Sequence, residues 1–182
     1  LAINPEQIRK DLAFFGQFGK KGVGYYVTEL KESIGSILGL DQHWNVAIIG
    51  MGHLGAALAN YQGIARLGFR LAAIFDANPV VVGTRVGERR VEDIAYLAEI
   101  IAERDIRIGV IAVPAAAAQD VADKLVAAGI RGIWNFAPVS LQVPPHIPFV
   151  SEDLSVGLSS LSYYLSHVST DPNELSDKNS LN

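Results

Sequence analysis

Three glycines and one aspartate carry the most legible chemistry in this 182-residue chain. The apolar run Asn45-Val46-Ala47-Ile48-Ile49 leads straight into Gly50-Met51-Gly52-His53-Leu54-Gly55, a G-x-G-x-x-G turn. Asp76 follows 21 residues after the last glycine, at the end of a second apolar run, Leu71 to Phe75. In a strand-turn-helix setting each residue type has a physical reason. Gly50 makes a tight turn, Gly52 lets a backbone amide approach a pyrophosphate, and Gly55 lets the next helix pack closely on the sheet. The amides opening that helix face the phosphates, with Met51, His53 and Leu54 inside the same turn. An acid at the spacing of Asp76 accepts hydrogen bonds from a ribose 2'-hydroxyl and repels a 2'-phosphate, which points to NAD(H) rather than NADP(H).

The elements needed to hold this turn recur along the chain. Leu54 to Ala65 reads as a helix, Val91 to Glu103 as an amphipathic helix, Arg107 to Val113 as a buried strand, Ala115 to Ala128 as an alanine-rich helix and Gly132 to Phe136 as a strand. Alternating strands and helices predict an α/β fold, a Rossmann-type doubly wound parallel sheet. Its ligand crevice lies at the carboxyl ends of the strands, where Val113, Pro114, Asn135, Phe136 and Ala137 are candidates to face the nicotinamide half. Composition agrees with one sizeable core: 49% of residues are hydrophobic and the formal net charge is -4. There is no cysteine, which excludes disulfides, thiolate metal sites and thiol catalysis, and suits a reducing cytoplasm. No apolar run is long enough for a membrane span.

The average charge hides a basic N-terminal segment, where Arg9, Lys10, Lys20 and Lys21 stand against Asp11 alone between Gln7 and Thr28. Asn4-Pro5-Glu6-Gln7 predicts a helix start, with Asn4 as cap and Gln7 closing a capping box, and Gly16 as its end. Four glycines around Lys20 and Lys21, followed by Val23, Tyr25 and Val27 in alternation, predict a hairpin with a basic tip. Thr28 then caps a short helix ended by Gly39. Helix plus basic hairpin is the back half of a winged helix, which would place Arg9 and Lys10 in a DNA groove and the hairpin on the backbone. A solvated charged face and a flexible glycine loop explain the same residues equally well. Only three residues precede Asn4, so the winged helix is incomplete here and this sequence alone is expected to bind DNA poorly.

At the other end Leu154, Leu158, Leu161, Leu165 and Val168 form a helical seam, and no Asp, Glu, Lys or Arg lies between Asp153 and Asp171. A helix on a monomer surface normally carries charge on its outer face. Small residues replace it here, so the expectation is burial on more than one side in a homodimer; the alternative is a helix tucked against its own sheet. The divisions expected are 1–40 for the partial winged helix, 41–152 for the dinucleotide domain, 153–170 for the dimerising helix and 171–182 for a polar tail. Hydride transfer needs a proton donor or acceptor beside the nicotinamide. Pro114 followed by Ala115 to Ala118 offers none, and the four histidines give no convincing base, so the site is expected to hold a cofactor without turning it over.

Together these stretches resemble the Rex family of redox-sensing transcriptional repressors. The resemblance rests on Gln7 to Leu12, the run from Phe18 to Tyr25, Gly50 to Gly55, Asn135 to Pro138, and Asp153 with its following helix. It implies a homodimer that holds operator DNA when NAD+ dominates and leaves it when NADH binds. It also implies that Arg9 and Lys10 sit on the recognition helix and Lys20 and Lys21 on the wing. Tyr61 matches a switch tyrosine near the nicotinamide, Asp153 an acid supplied by the partner subunit, and the last helix an element swapped between subunits. Leu154 departs from an aromatic expected in some relatives. The competing expectations are a small NAD-dependent dehydrogenase and a CoA-binding module.

Overall fold

The computed structural model describes residues 4–14, 24–37 and 43–167. Its elements run α1 (Pro5–Ala13), α2 (Val27–Ile37), β1 (Trp44–Ile49), α3 (His53–Ala59), α4 (Gln62–Arg66), β2 (Phe69–Asp76), β3 (Arg85–Val86), β4 (Arg89–Asp93), α5 (Leu97–Glu103), β5 (Ile106–Ile111), α6 (Ala115–Ala127), β6 (Gly132–Asn135), β7 (Phe149–Ser151) and α7 (Val156–His167). The seven strands form one sheet in the order β3-β4-β2-β1-β5-β6-β7, parallel except for the β3–β4 hairpin. β1 lies between β2 and β5, so the chain winds outward in both directions from it. A crevice therefore opens beyond the carboxyl ends of β1 and β5.

The sheet is apolar on both faces, as parallel strands covered by helices require. On one face Ala47, Ile49, Phe75, Ile111 and Ile133 pack under α5 and α6 through Leu97, Ile101, Ala118, Val121 and Leu125. On the other face Val46, Ile48 and Val110 meet Leu58, Ala59, Phe69, Trp134 and Phe136. Among the described residues this face carries α3 and α4, and no described helix covers the β5–β7 side. An apolar groove of about 450 Å³ remains between Ile64 and Leu67 of the α4 segment and Ile108, Trp134 and Val150.

Several element boundaries differ from those expected. The helix predicted over 54–65 is two, because Asn60 closes α3 with its Nδ2 donating to the Ala56 carbonyl at 2.8 Å and Tyr61 is extended. The helix predicted from Val91 begins at Leu97. Val91 is instead a buried strand residue paired with Ile74, and Asp93 marks the helical start by accepting from the Ala95 amide at 2.8 Å. Helical periodicity in 94–101 ran backwards into a β-branched residue whose burial the sheet had already claimed.

At the N-terminus Asn4 caps α1 by accepting from the Glu6 amide at 2.9 Å. Gln7 does not close a capping box; its Nε2 donates to Asp11 Oδ1, one turn on. α1 ends at Ala13 with Phe14 as cap, and Val27, expected in a strand, opens α2, so Thr28 lies inside the helix instead of capping it. The tip with Lys20 and Lys21, the Arg9 side chain, Gly16, Gly39, Val168 and the polar tail fall outside the described residues.

α7 begins three residues after Asp153, whose carboxylate accepts from the amide and hydroxyl of Ser155. The Ser155 hydroxyl first, and its amide second, hold the Asp153 carboxyl below its ordinary value. A lowered value means that this cap is intact wherever a free aspartate is ionised and is released only on acidification through the lowered value. No described part of the chain covers α7, and Leu158 and Leu165 are 69% and 81% exposed. Packing of this helix on its own sheet is thereby overturned.

Sheet and α6 are in tight contact at Gly109, where a Cβ would lie 2.7 Å from Leu125 Cδ1 in a buried layer. Gly109→Ala is expected to lower stability by about 1–3 kcal/mol. Urea denaturation checks this; an unchanged midpoint would show that Leu125 can move aside freely.

Candidate dinucleotide site

The turn after β1 is fixed from three sides. The Gly50 amide donates to the Phe75 carbonyl at 2.8 Å, and the Ala112 amide to the Ile49 carbonyl at the same distance, so the turn hangs between the ends of β2 and β5. Gly50 has φ +98°, and a Cβ there would lie 2.6 Å from the Ala112 carbonyl oxygen. A Cβ on Gly55 would overlap the Gly50 carbonyl oxygen, so α3 presses directly on the turn. Gly52, by contrast, has no protein atom within 4 Å of where its Cβ would be. That space lies open to a ligand. The first amides of α3 lack acceptors within their own helix, as at any helix start.

Asp76 completes the turn. Its Oδ2 accepts from the Met51 amide at 2.6 Å and its Oδ1 from the Asn78 amide at 2.8 Å. A carboxylate has about four acceptor sites. Two therefore remain for the hydroxyls of a ribose. Gly50, Met51, Gly52, Asp76, Val113 and Pro114 share a cleft of about 380 Å³, closed by the apolar side chains of Val81 and Ile94 and by Asn78 and Ala117. These last four were not singled out from the sequence. Asn78 could have been, since it stands two residues after the acid and opens an Asx turn, accepting from the Val80 amide at 3.0 Å. Val81 and Ile94 carry no local signal, because their position depends on the β3–β4 excursion. The ionisable groups at the cleft besides Asp76 are Asp120 and Lys124, which pair with each other at 2.7 Å.

The remaining candidates are placed differently. His53 is exposed and Leu54 half-buried at the start of α3. Asn135 is fully buried and acts within the protein: Oδ1 accepts from the Ala137 amide, and Nδ2 donates to the Ala137 and Val139 carbonyls and reaches Ser151 Oγ at 3.1 Å. Ala137, 2% exposed, is part of the same knot. As a ligand contact Asn135 is corrected to a residue that shapes the rim. Phe136 is half-buried against Trp134, ring centroids 4.6 Å apart, on the sheet face opposite α5 and α6. Tyr61 stands at the α3–α4 break, 64% exposed, beside the apolar groove and apart from the glycine cleft. Asp153 is exposed beyond β7, and Lys10 is exposed on α1.

Comparison with known proteins agrees with this geometry. Residues 41–139 match the family model described as CoA binding domain. The redox-sensing transcriptional repressor Rex of Clostridium perfringens is 47% identical over 167 residues, 92% of this chain and 79% of its own length. The Rex of Chloroflexus aurantiacus is 47% identical over 163 residues, 90% of this chain and 77% of its own length. This chain belongs to the Rex family of redox-sensing transcriptional repressors. Among solved structures, the Rex-family repressor RSP in complex with β-NAD+ and operator DNA superposes with a TM-score of 0.85 at 42% identity, covering 97% of this chain and 79% of RSP. RSP in complex with β-NADH gives 0.79 at 40% identity, with 97% and 80% covered. Both match nearly the whole chain as one arrangement, including elements outside the Rossmann sheet.

Removing the Asn135 amide would leave the buried Ala137 N–H without its acceptor and take one donor each from the Ala137 and Val139 carbonyls. Asn135→Ala is expected to cost about 1–3 kcal/mol of stability. Denaturant titration tests it, and a stability equal to that of the parent would mean that water replaces the amide.

Proposed function

We propose that this chain binds NAD(H) across the turn at Gly50 to Gly55, and that NADH binding releases the protein from operator DNA. The observation that carries the reading is Asp76: it clamps the turn through Met51 and still has acceptor capacity facing the cleft. The pyrophosphate lies over Gly52, the adenosine half between Val81 and Ile94, and the nicotinamide half beyond Val113 and Pro114 towards Phe136. An apolar setting there favours the neutral dihydronicotinamide over the cationic ring, since an unpaired charge is costly to bury. Ligand can shift DNA affinity only as far as it binds one arrangement of the protein better than the other.

The arrangement that changes is a homodimer joined through α7. Its leucines cover nothing among the described residues, and burying one such side chain contributes about 1.5–3 kcal/mol. In that dimer Asp153 serves the partner's site and Tyr61, poised at a helix break, follows the nicotinamide. DNA is held by Arg9, Lys10, Lys20 and Lys21 on residues 1–40, the dinucleotide by 41–152, and the partner by 153–170. The protein acts in the cytoplasm; among the described residues no helix is long and apolar enough to cross a membrane. It is not an enzyme: Asp120 and Lys124 neutralise one another, and among the described residues the cleft is lined by no other acid or base besides Asp76. CoA, suggested by the name of the matched family model, would bring a 3'-phosphate towards the carboxylate of Asp76, a repulsive placement.

Calorimetric titration with each redox form tests the reading. NADH is expected to bind more tightly than NAD+, and Asp76→Ala to weaken both at least about tenfold, the loss of charge-assisted hydrogen bonds. Equal affinities for the two forms would favour a dehydrogenase, no binding of either a CoA module, and unchanged affinity in the variant would remove Asp76 from the site. Separately, a chain ending before Asp153 is expected to sediment as a monomer. A dimer at the same concentration would reject α7 as the main interface.

A further inference from the structure

The end of the sheet opposite the dinucleotide cleft is marked by arginine. Arg70 is the second residue of β2, Arg89 the first of β4, Arg107 the second of β5, and Arg131 directly precedes β6. Arg107 is neutralised by Asp105 and Arg104 by Glu92 at 2.9 Å. Arg70 and Arg89 are not so paired. Pairing of β4 with β2 begins only at Ile74 and Val91, which leaves the Ala72 carbonyl beyond the ladder. Arg89 and Arg104 both donate to that oxygen, each at 3.2 Å, so two guanidiniums converge on one acceptor. Burial, then the nearby charges of Arg70 and Arg104, lower the Arg89 pKa, with Glu88 opposing them. An arginine stays protonated regardless, and after burial the next contribution is the charge of Arg70 beside it.

Arg70 and Arg89 line an open cleft of about 730 Å³ between the starts of β1, β2 and β4. Glu88 is the one acid on its wall, against these two arginines, and His43 and Asn45 complete the polar side. Phe69 and Leu71 form an apolar wall beside them. Arg70 makes no hydrogen bond or ion pair among the described residues. Planar, weakly hydrated guanidiniums match phosphate oxygens in geometry as well as charge.

We propose that this cleft is a second anion site, which takes the phosphoryl group of a small, partly apolar molecule on Arg70 and Arg89 and its body against Phe69 and Leu71. It lies at the amino ends of the strands and is separate from the turn at Gly50. The site requires neither occupancy of the dinucleotide cleft nor the dimer.

Phenyl phosphate, a partly apolar phosphoryl compound with no ribose for Asp76 to hold, is titrated calorimetrically onto the full chain, with inorganic phosphate as competitor. Binding is expected, with displacement by phosphate. Arg70→Glu should weaken it at least about tenfold, as reversal of a charge in contact with phosphate demands. Arg131→Glu, the same change of charge outside the cleft, should leave it within about twofold. Absence of binding to the parent chain overturns the proposal. So does an equal loss in Arg70→Glu and Arg131→Glu, which would indicate only a diffuse field. Displacement by NADH without any loss in Arg70→Glu would place the phosphoryl group over the glycine turn and equally reject the second site.

Discussion

The contact between Gly55 and the Gly50 carbonyl is the constraint on which the site depends. Two stretches of backbone meet there with no room for a methyl group between them. That closeness puts the first turn of α3 immediately over the end of β1, and it positions the open backbone at Gly52 beside Asp76. The turn itself is held by backbone bonds to β2 and β5 and by the Asp76 carboxylate on the Met51 amide. Close-packed interiors transmit small changes of volume. Strand order, helix entry and ligand cleft are therefore one geometric solution.

The two faces of the sheet differ in how far the chain completes them. Under α5 and α6 the layer is closed by Leu97, Ile101, Val121 and Leu125. On the opposite face the helices stop short, and Ile108, Trp134 and Val150 border an unfilled groove. Together with the bare leucines of α7, this groove is apolar surface that the described residues leave uncovered.

Legibility in the sequence followed the range of the interaction. The strands at β1, β2, β5 and β6, the glycine turn and Asp76 were readable because each depends on neighbours a few residues away: apolar runs, a φ that only glycine adopts easily, an acid at the end of a strand. The break at Asn60 was missed because a side-chain bond to the Ala56 carbonyl competes with helix continuation without altering periodicity. β4 was missed because Val91 is a strand residue only by virtue of its pairing with Ile74, and the same pairing hides Ile94 as a wall of the cleft. Asn135 was legible as a rim residue but not in its role, since its partners at Val139 and Ser151 are brought to it by the returning strand β7.

That last knot has a mechanical meaning. Asn135 ties β6 to Ser151, and its carbonyl accepts from the Glu152 amide at 2.8 Å, immediately before the Asp153 turn into α7. The root of α7 is thus anchored in the sheet, while its body stands clear of the protomer. An arm with a fixed pivot and a free shaft converts a small tilt at its base into a larger displacement at its tip. Twelve helical residues extend from this pivot, at about 1.5 Å of rise each. Leverage of this kind means that a small change at the buried Asn135 amide would alter the direction in which α7 projects from the sheet.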